Sequence, residues 1–269
     1  MLLLAPAFIF WTSCRSTTPH ADSTQTFTFV QLCDPQLGFS DYEQDKTSLR
    51  QAVRQINTLN PDFVVLCGDM VNTADNRSYA DFKDIMGGLA MPYYCVPGNH
   101  DVGNEPTAES LRNYRTTIGR DYFVHEHKGT AFVFINTQLI KQKVPAESDH
   151  QDAWLRENLR IAFEKGCPVF IVGHFPLYCQ NADEPEAYMN LPLEKRTELL
   201  DLFAQYNVTA VLGGHTHRLI LNNYQTIRMV NGETTSRNFD DRPLGFRLWH
   251  VNHSGLPDHQ FVPLESPLP

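Results

Sequence analysis

Short runs of consecutive apolar residues recur along the chain, separated by segments with an apolar residue at every third or fourth position. TFTFVQLC (26–33), FVVLC (63–67), YYCV (93–96), VFIV (169–172) and TAVL (209–212) read as strands buried on both faces. Segment 47–60 places Leu49, Ala52, Val53, Ile56 and Leu59 on one helical face, and Pro61 stops it. A weaker helix is predicted over 78–89, one over 107–118 with Thr107 as N-cap, and another over 193–206. The clearest helical pattern runs from 149 to 165. There Ser148 and Gln151 spell a capping box, Trp154, Leu155, Leu159, Ala162 and Phe163 form the apolar stripe, and Gly166 marks the end. Tyr122–Val124 and Ala131–Asn136 predict a hairpin around Lys128-Gly129. From Thr226 to about Val262 the pattern holds strands and turns without a helix. Alternating strands and helices followed by strands alone predict one α/β domain in layers, with a second, partly antiparallel sheet.

Composition narrows the picture. The chain has 269 residues, 42% of them hydrophobic and 20% charged, enough for a folded domain with a real core. Its formal net charge of -9 disfavours nucleic acid as a partner. Residues 1–13, MLLLAPAFIFWTS, are uncharged, mostly apolar and too short to span a bilayer, which takes roughly 20 residues. They read as the apolar part of an export signal, and Trp11-Thr12-Ser13-Cys14 is similar to a lipobox whose cysteine is acylated. An ordinary cleaved signal is the other reading. Residues 1–25 are therefore expected to be signal and tether, and 26–269 the domain. The expected location is the bacterial envelope, possible lipid attachment through Cys14 included, with the cytoplasm as the alternative. Cys33, Cys67, Cys95 and Cys167 sit in or beside apolar runs with no C-x-x-C pair, so they read as core residues rather than disulfides or ligands. That pattern fits a reducing compartment better than export, and the two readings stand in tension.

The chemistry sits where strands stop. Asp34-Pro35-Gln36, Gly68-Asp69, Gly98-Asn99-His100-Asp101, Gly173-His174 and Gly213-Gly214-His215-Thr216-His217 each follow an apolar run directly. Ligands of α/β sheets bind outside the carboxyl ends of strands, so the clusters are expected to converge on one edge of one sheet. Glycine before four of them is expected to let the backbone turn sharply. Carboxylate, amide and imidazole without thiolate suit Mn, Fe or Zn. His215 and His217 alternate and can serve one centre. Two ions roughly 3.5–4 Å apart clamp a phosphate and acidify a shared water, and Asp69 is the natural bridge between them. His100 is expected to face the leaving oxygen as a cation or general acid, with Asp101 orienting its ring and raising its pKa. Among weaker candidates, Asn72 and Asn136 can support the site from behind, and Arg237 or Arg242 can meet a phosphate.

These motifs, in this order, resemble the calcineurin-like metallophosphoesterases from about residue 26 to 250. Asp-Pro-Gln in place of the superfamily's usual Asp-x-His, together with QAVRQINTLNPDFVVLCGD, GNHDVGNEPTAES and QDAWL, resembles the group of complete S-transactivated protein 1. The resemblance implies a four-layer αββα sandwich with two mixed β-sheets. It implies one metal on Asp34, Gln36, Asp69 and His217, and a second on Asp69, Asn99, His174 and His215. It also implies hydrolysis of phosphomonoesters, on small molecules or phosphoproteins; a phosphodiesterase and a non-catalytic metal-binding lipoprotein are the alternatives. Gln36 departs from the superfamily pattern, and a neutral amide ligand predicts a looser first metal or a preference for Mn over Zn.

Overall fold

The computed structural model describes residues 26–252 and 257–265. The expected signal, tether and Cys14 lie outside them. Strand β1 (Phe27–Leu32) leads to helix α1 (Tyr42–Leu59), β2 (Phe63–Cys67), α2 (Asn76–Met86), β3 (Tyr93–Val96), the single turn α3 (Asn99–Val102) and α4 (Ala108–Thr117). The hairpin β4 (Phe123–His127) and β5 (Thr130–Phe134) follows, then α5 (Gln138–Lys141), α6 (Glu147–Glu164), β6 (Val169–Val172), α7 (Leu193–Gln205) and β7 (Val208–Gly213). Strands β8 (Ile220–Tyr224), β9 (Ile227–Asn231), β10 (Gly245–Val251) and β11 (Asp258–Pro263) complete the chain.

The strands form two mixed sheets. One has the order β11-β10-β1-β2-β3, with β1, β2 and β3 parallel and β10 and β11 antiparallel. The other has the order β4-β5-β6-β7-β9-β8, parallel from β5 through β9 and antiparallel at both edges. Between the sheets lies an aromatic core. Phe29 stacks on Phe63 and on Trp249, at 5.5 and 5.6 Å between ring centroids, and meets Phe132 and Phe170 edge-on from the opposite sheet. The outer face of the first sheet is covered by α1 and α2 through Leu49, Ala52, Ile56 and Phe82. The outer face of the second is covered by α6 and α7 through Leu155, Leu159, Leu199 and Phe203. The result is the four-layer αββα sandwich.

Local differences have identifiable causes. Helix α1 starts earlier than its apolar stripe because Asp41 caps it, its carboxylate accepting from the Gln44 N–H. The Ser148/Gln151 pair is not a capping box. Ser148 Oγ donates to the Leu139 carbonyl at 2.7 Å, and the Gln151 amide bonds both the N–H and the carbonyl of Asn136. Gln151 thus ties α6 to the end of β5, and Ser148 ties it to α5. Phe163, assigned to the buried stripe by its spacing, is 46% exposed. Strand β8 escaped the sequence pattern because it is an edge strand with only one partner, β9. The described cysteines are all free, with Cys33, Cys67 and Cys95 buried and Cys167 and Cys179 partly so. No helix among the described residues is long and apolar enough to cross a membrane.

The contrast between Phe29 and Phe163 gives a direct check. Phe29→Ala removes a side chain packed on both sheets and should cost about 3–5 kcal/mol of unfolding free energy. Phe163→Ala should stay within about 0.5 kcal/mol of the parent. Urea unfolding measures both, and equal losses would contradict the layer assignment.

Candidate metal centre

Each ligand cluster sits just past a strand, but the strands belong to two sheets. Asp34 and Gln36 follow β1, Asp69 follows β2 and Asn99 opens α3 after β3; His174 follows β6, and His215 and His217 follow β7. The expectation of a single sheet edge is therefore corrected. The carboxyl edges of both sheets meet, and the cluster forms in the gap between them.

Turning at those edges is done largely by the polar residues themselves. Asp34, Gln36, Asp69, His215 and His217 all have positive φ, between 35° and 67°. Left-handed backbone costs an L-residue roughly 1–2 kcal/mol, and such strain gathers at functional sites. The glycines mainly supply room. A Cβ on Gly98 would overlap the Asp69 carboxylate, and one on Gly214 would overlap that of Asp34. Gly68 alone of the cluster glycines combines positive φ, at 85°, with a close approach, here to the His174 ring.

The structure brings Asp69, His174 and His215 together, with one ligand atom from each inside a 4.8 Å cluster. His174 Nδ1 lies 2.8 Å from the Cys67 carbonyl and donates to it. Its Nε2 then faces Asp69 Oδ2 at 3.3 Å, Asn99 Oδ1 at 3.1 Å and His215 Nδ1 at 3.2 Å. Acceptors converging on one point need a proton or a metal ion among them. Asp34 Oδ1 is 3.8 Å from His217 Nε2 and 3.8 Å from His174 Nδ1. His217 Nδ1 donates to the Arg237 carbonyl at 2.6 Å, which turns Nε2 inward. Gln36 donates through Nε2 to Asn72 Oδ1 at 3.4 Å, and its buried Oε1 has no hydrogen-bond partner among the described residues. An orphaned buried oxygen costs about 1–3 kcal/mol, and a cation beside it removes that cost. The donor set fits metal: oxygen and imidazole nitrogen, buried and mutually close.

The electrostatics agree. Burial pushes the Asp34 carboxyl up to about 8, opposed by His174 and assisted by Asp69. Burial also raises Asp101 to about 8, with Asp69 adding to the effect. Burial works against charge on His174, but Asp69 and Asp34 override it and raise the imidazole to about 10. Asp69 stays low, at about 2, because His174, His100 and His215 outweigh its burial. Burial and His174 depress His215 to about 3. A buried group of carboxylates that cannot all ionise alone is a cation site by its own charge balance.

His100 stands at the rim. Its backbone N–H donates to Asp69 Oδ1 at 2.9 Å, and its ring Nδ1 bonds the Asn72 carbonyl at 2.9 Å. Asp101, expected to orient that ring, instead accepts from the Gly98 N–H at 2.8 Å and the Met70 N–H at 3.1 Å. It holds the two ligand loops together, and Asn72 takes the orienting role through its carbonyl. Asn136 is absorbed by Asp121, Gln151 and the Gln138 N–H. Arg242 is tied to the buried Glu233 at 2.9 Å. Sequence reasoning missed three aromatic residues. Phe239 stacks on His217 at 4.8 Å, and Phe39 lies against the same ring at 4.9 Å. The Tyr188 hydroxyl accepts from Asn99 Nδ2 at 3.3 Å, which turns the amide oxygen toward His174. Phe39, only three residues past Gln36, had a positional signal; Tyr188 and Phe239 lie in loops without periodicity.

The pattern of the family "Calcineurin-like phosphoesterase" matches residues 27–219. The serine/threonine-protein phosphatase CPPED1 of Bos taurus is 35% identical over 229 residues, covering 76% of this chain and 73% of that protein. The glycerophosphodiester phosphodiesterase GpdQ of Enterobacter lignolyticus is 30% identical over 181 residues, 64% of this chain and 63% of its own. A dimetal phosphatase from Danio rerio shares the fold, with a TM-score of 0.66 at 15% identity over 89% of this chain and 99% of that one. Five strand-end clusters, a buried carboxylate–imidazole site and these matches have one reading: the chain belongs to the calcineurin-like phosphoesterases and is a metal-binding hydrolase of phosphoric esters.

Proposed function

We propose that the protein is a phosphomonoesterase with two metal ions, acting on phosphoserine or phosphothreonine residues of proteins. The observation that carries this reading is the convergence on His174 Nε2 of Asp69, Asn99 and His215, with the orphaned Gln36 Oε1 in the same cluster of loops. As the family resemblance implies, Asp34, Gln36, Asp69 and His217 would hold one ion, and Asp69, Asn99, His174 and His215 would hold the other. When bound, such ions neutralise phosphate charge and make water a nucleophile near neutral pH.

The chain's own residues set the rest. The Asn72 carbonyl holds His100 Nδ1, so Nε2 is the ring atom left to carry a proton to the leaving alcohol oxygen. Phe39 and Phe239 cover His217 and keep water off that side of the ligand set. Arg237, an exposed residue whose backbone carbonyl accepts from His217, is the nearby candidate for the extra cation that a dianionic monoester calls for. The protein class follows the relative that is a serine/threonine-protein phosphatase. The second reading, a phosphodiesterase, draws on the relative that is a glycerophosphodiester phosphodiesterase.

Assays with p-nitrophenyl phosphate and bis(p-nitrophenyl) phosphate, both with Mn, separate the two. The monoester should be the better substrate. His100→Ala should lower kcat about 10²- to 10⁴-fold while metal content stays unchanged; an unaltered rate would remove His100 from the chemistry.

Metal binding should release protons. Below about pH 8 the metal-free protein holds one on Asp34 and one on His174, and a metal ion must displace them. Apparent affinity should therefore rise with pH between 6 and 8, by about tenfold per unit for each proton displaced. Calorimetric titration in buffers of different ionisation enthalpy counts these protons, and affinity independent of pH would contradict the charge balance. The same titration with Mn and Zn should resolve two unequal sites, the Gln36 site being weaker; two equally tight zinc sites would sink that expectation.

A further inference from the structure

Beside the metal centre lies a cavity of about 520 Å³ that the phosphate chemistry does not use. One wall is Thr216, Arg218 and Ile220, continuing from the loop of His215 and His217. The other is the segment between β6 and α7, including Ala187 and Met189 on either side of Tyr188. Tyr188 itself touches the centre, its hydroxyl on Asn99 and its ring 5.1 Å from His215. The cavity and the centre therefore share both walls.

The segment is built rather than loose, although it has no regular secondary structure. Glu184 accepts from the backbone N–H groups of Cys179, Gln180 and Asn181. Arg196, fully buried, donates to the carbonyls of Ala182, Glu184 and Leu191. Lys141 donates to those of Ala187 and Asn190, each at 2.7 Å. Arg196 from α7 and Lys141 from α5 thus fix the loop from outside, and Glu184 fixes it from within. Long irregular segments held this way commonly form binding walls. The Glu184 charge is met by those N–H groups. The Arg218 guanidinium is exposed and makes no hydrogen bond or ion pair among the described residues. A volume of this size suits a few residues of extended chain.

We infer that this cavity receives the peptide chain flanking a phosphorylated serine or threonine, with an acidic side chain on Arg218 and an apolar one against Met189 and Ile220. The inference rests on the phosphomonoesterase reading above. An acidic flank is selected because the unpaired charge in the cavity is positive, and apolar contacts come from the rest of its lining. The contribution is to peptide selection, leaving attack on phosphorus to the metal centre.

The test uses the Mn-loaded full chain with phosphoserine peptides that carry one Glu, one Lys or neither at successive positions around the phosphoserine. p-Nitrophenyl phosphate serves as a substrate that does not reach the cavity. The parent should favour the best-placed Glu peptide by about three- to fivefold in kcat/KM, the scale of one partly exposed ion pair. Arg218→Ala should erase the preference through KM with kcat preserved, and Arg218→Glu should transfer it to the Lys peptide. Neither variant should change p-nitrophenyl phosphate turnover. Absence of preference in the parent, or its persistence in Arg218→Glu, overturns the subsite while leaving the monoesterase reading intact. Turnover of diesters with no monoester hydrolysed, peptide or small, overturns that reading and the subsite with it.

Discussion

The two sheets are bonded to one another at the edge where the ligands emerge, and the site depends on that seam. Gln31, in the first sheet, donates through Nε2 to the carbonyls of Gly213 and Val230 in the second, while its Oε1 accepts from Trp249 Nε1. His174, on the second sheet, donates to Cys67 on the first. The His215 N–H donates to the Asp34 carboxylate at 3.0 Å. A buried bond of this kind contributes about 1 kcal/mol net, and leaving one partner unpaired costs more. The Trp249 bond fixes Gln31 within the first sheet, and each of the others has one end in either sheet, so opening the sandwich at this edge would break the seam and separate the two halves of the site together.

Such a seam is needed because the site works against the fold locally. Left-handed backbone at Asp34, Gln36, Asp69, His215 and His217 is strained. Asp34, Asp69 and Asp101 are buried close enough to raise or oppose each other's ionisation. The stabilisation that offsets this lies behind the edge, in the aromatic core around Phe29, where burying each large side chain contributes about 1.5–3 kcal/mol. Core and site thus divide the work: apolar burial holds a polar, strained rim in readiness for cations.

The candidate ligands and the residues around them come from different kinds of structure. The candidate ligands sit just past strand ends, where a rigid ladder sets their positions. Phe39, Tyr188 and Phe239, which lie against them, sit in loops, as does Arg218. Loops can vary around a fixed centre, which is how one fold serves esters of different shape. Tyr188 connects the two sets, since its hydroxyl holds the amide of Asn99. His100 is likewise placed by a loop carbonyl, that of Asn72, and Asp101 by contrast braces backbone.

Much of this was legible in the residues. Apolar runs marked the buried strands, because a strand covered on both faces has no polar side to show. Asp34, Gln36, Asp69, Asn99, His174, His215 and His217 stood out because each follows such a run, and the resemblance they carry supplied the four layers. Helix limits, the edge strand β8 and the exposure of Phe163 were not legible, since spacing along a chain does not say which neighbour covers a face. Nor could local pattern show that the clusters meet from two sheets, that the ligands themselves take positive φ, or that Gly98 and Gly214 serve by leaving room. The role of Asp101 was misread for the same reason. Adjacency in sequence placed it beside His100, but the turn of α3 carries its carboxylate to the Gly98 and Met70 N–H groups. Sequence determined which groups can bind a metal; the packing of two sheets decided which atoms face it, because that depends on contacts between residues far apart along the chain.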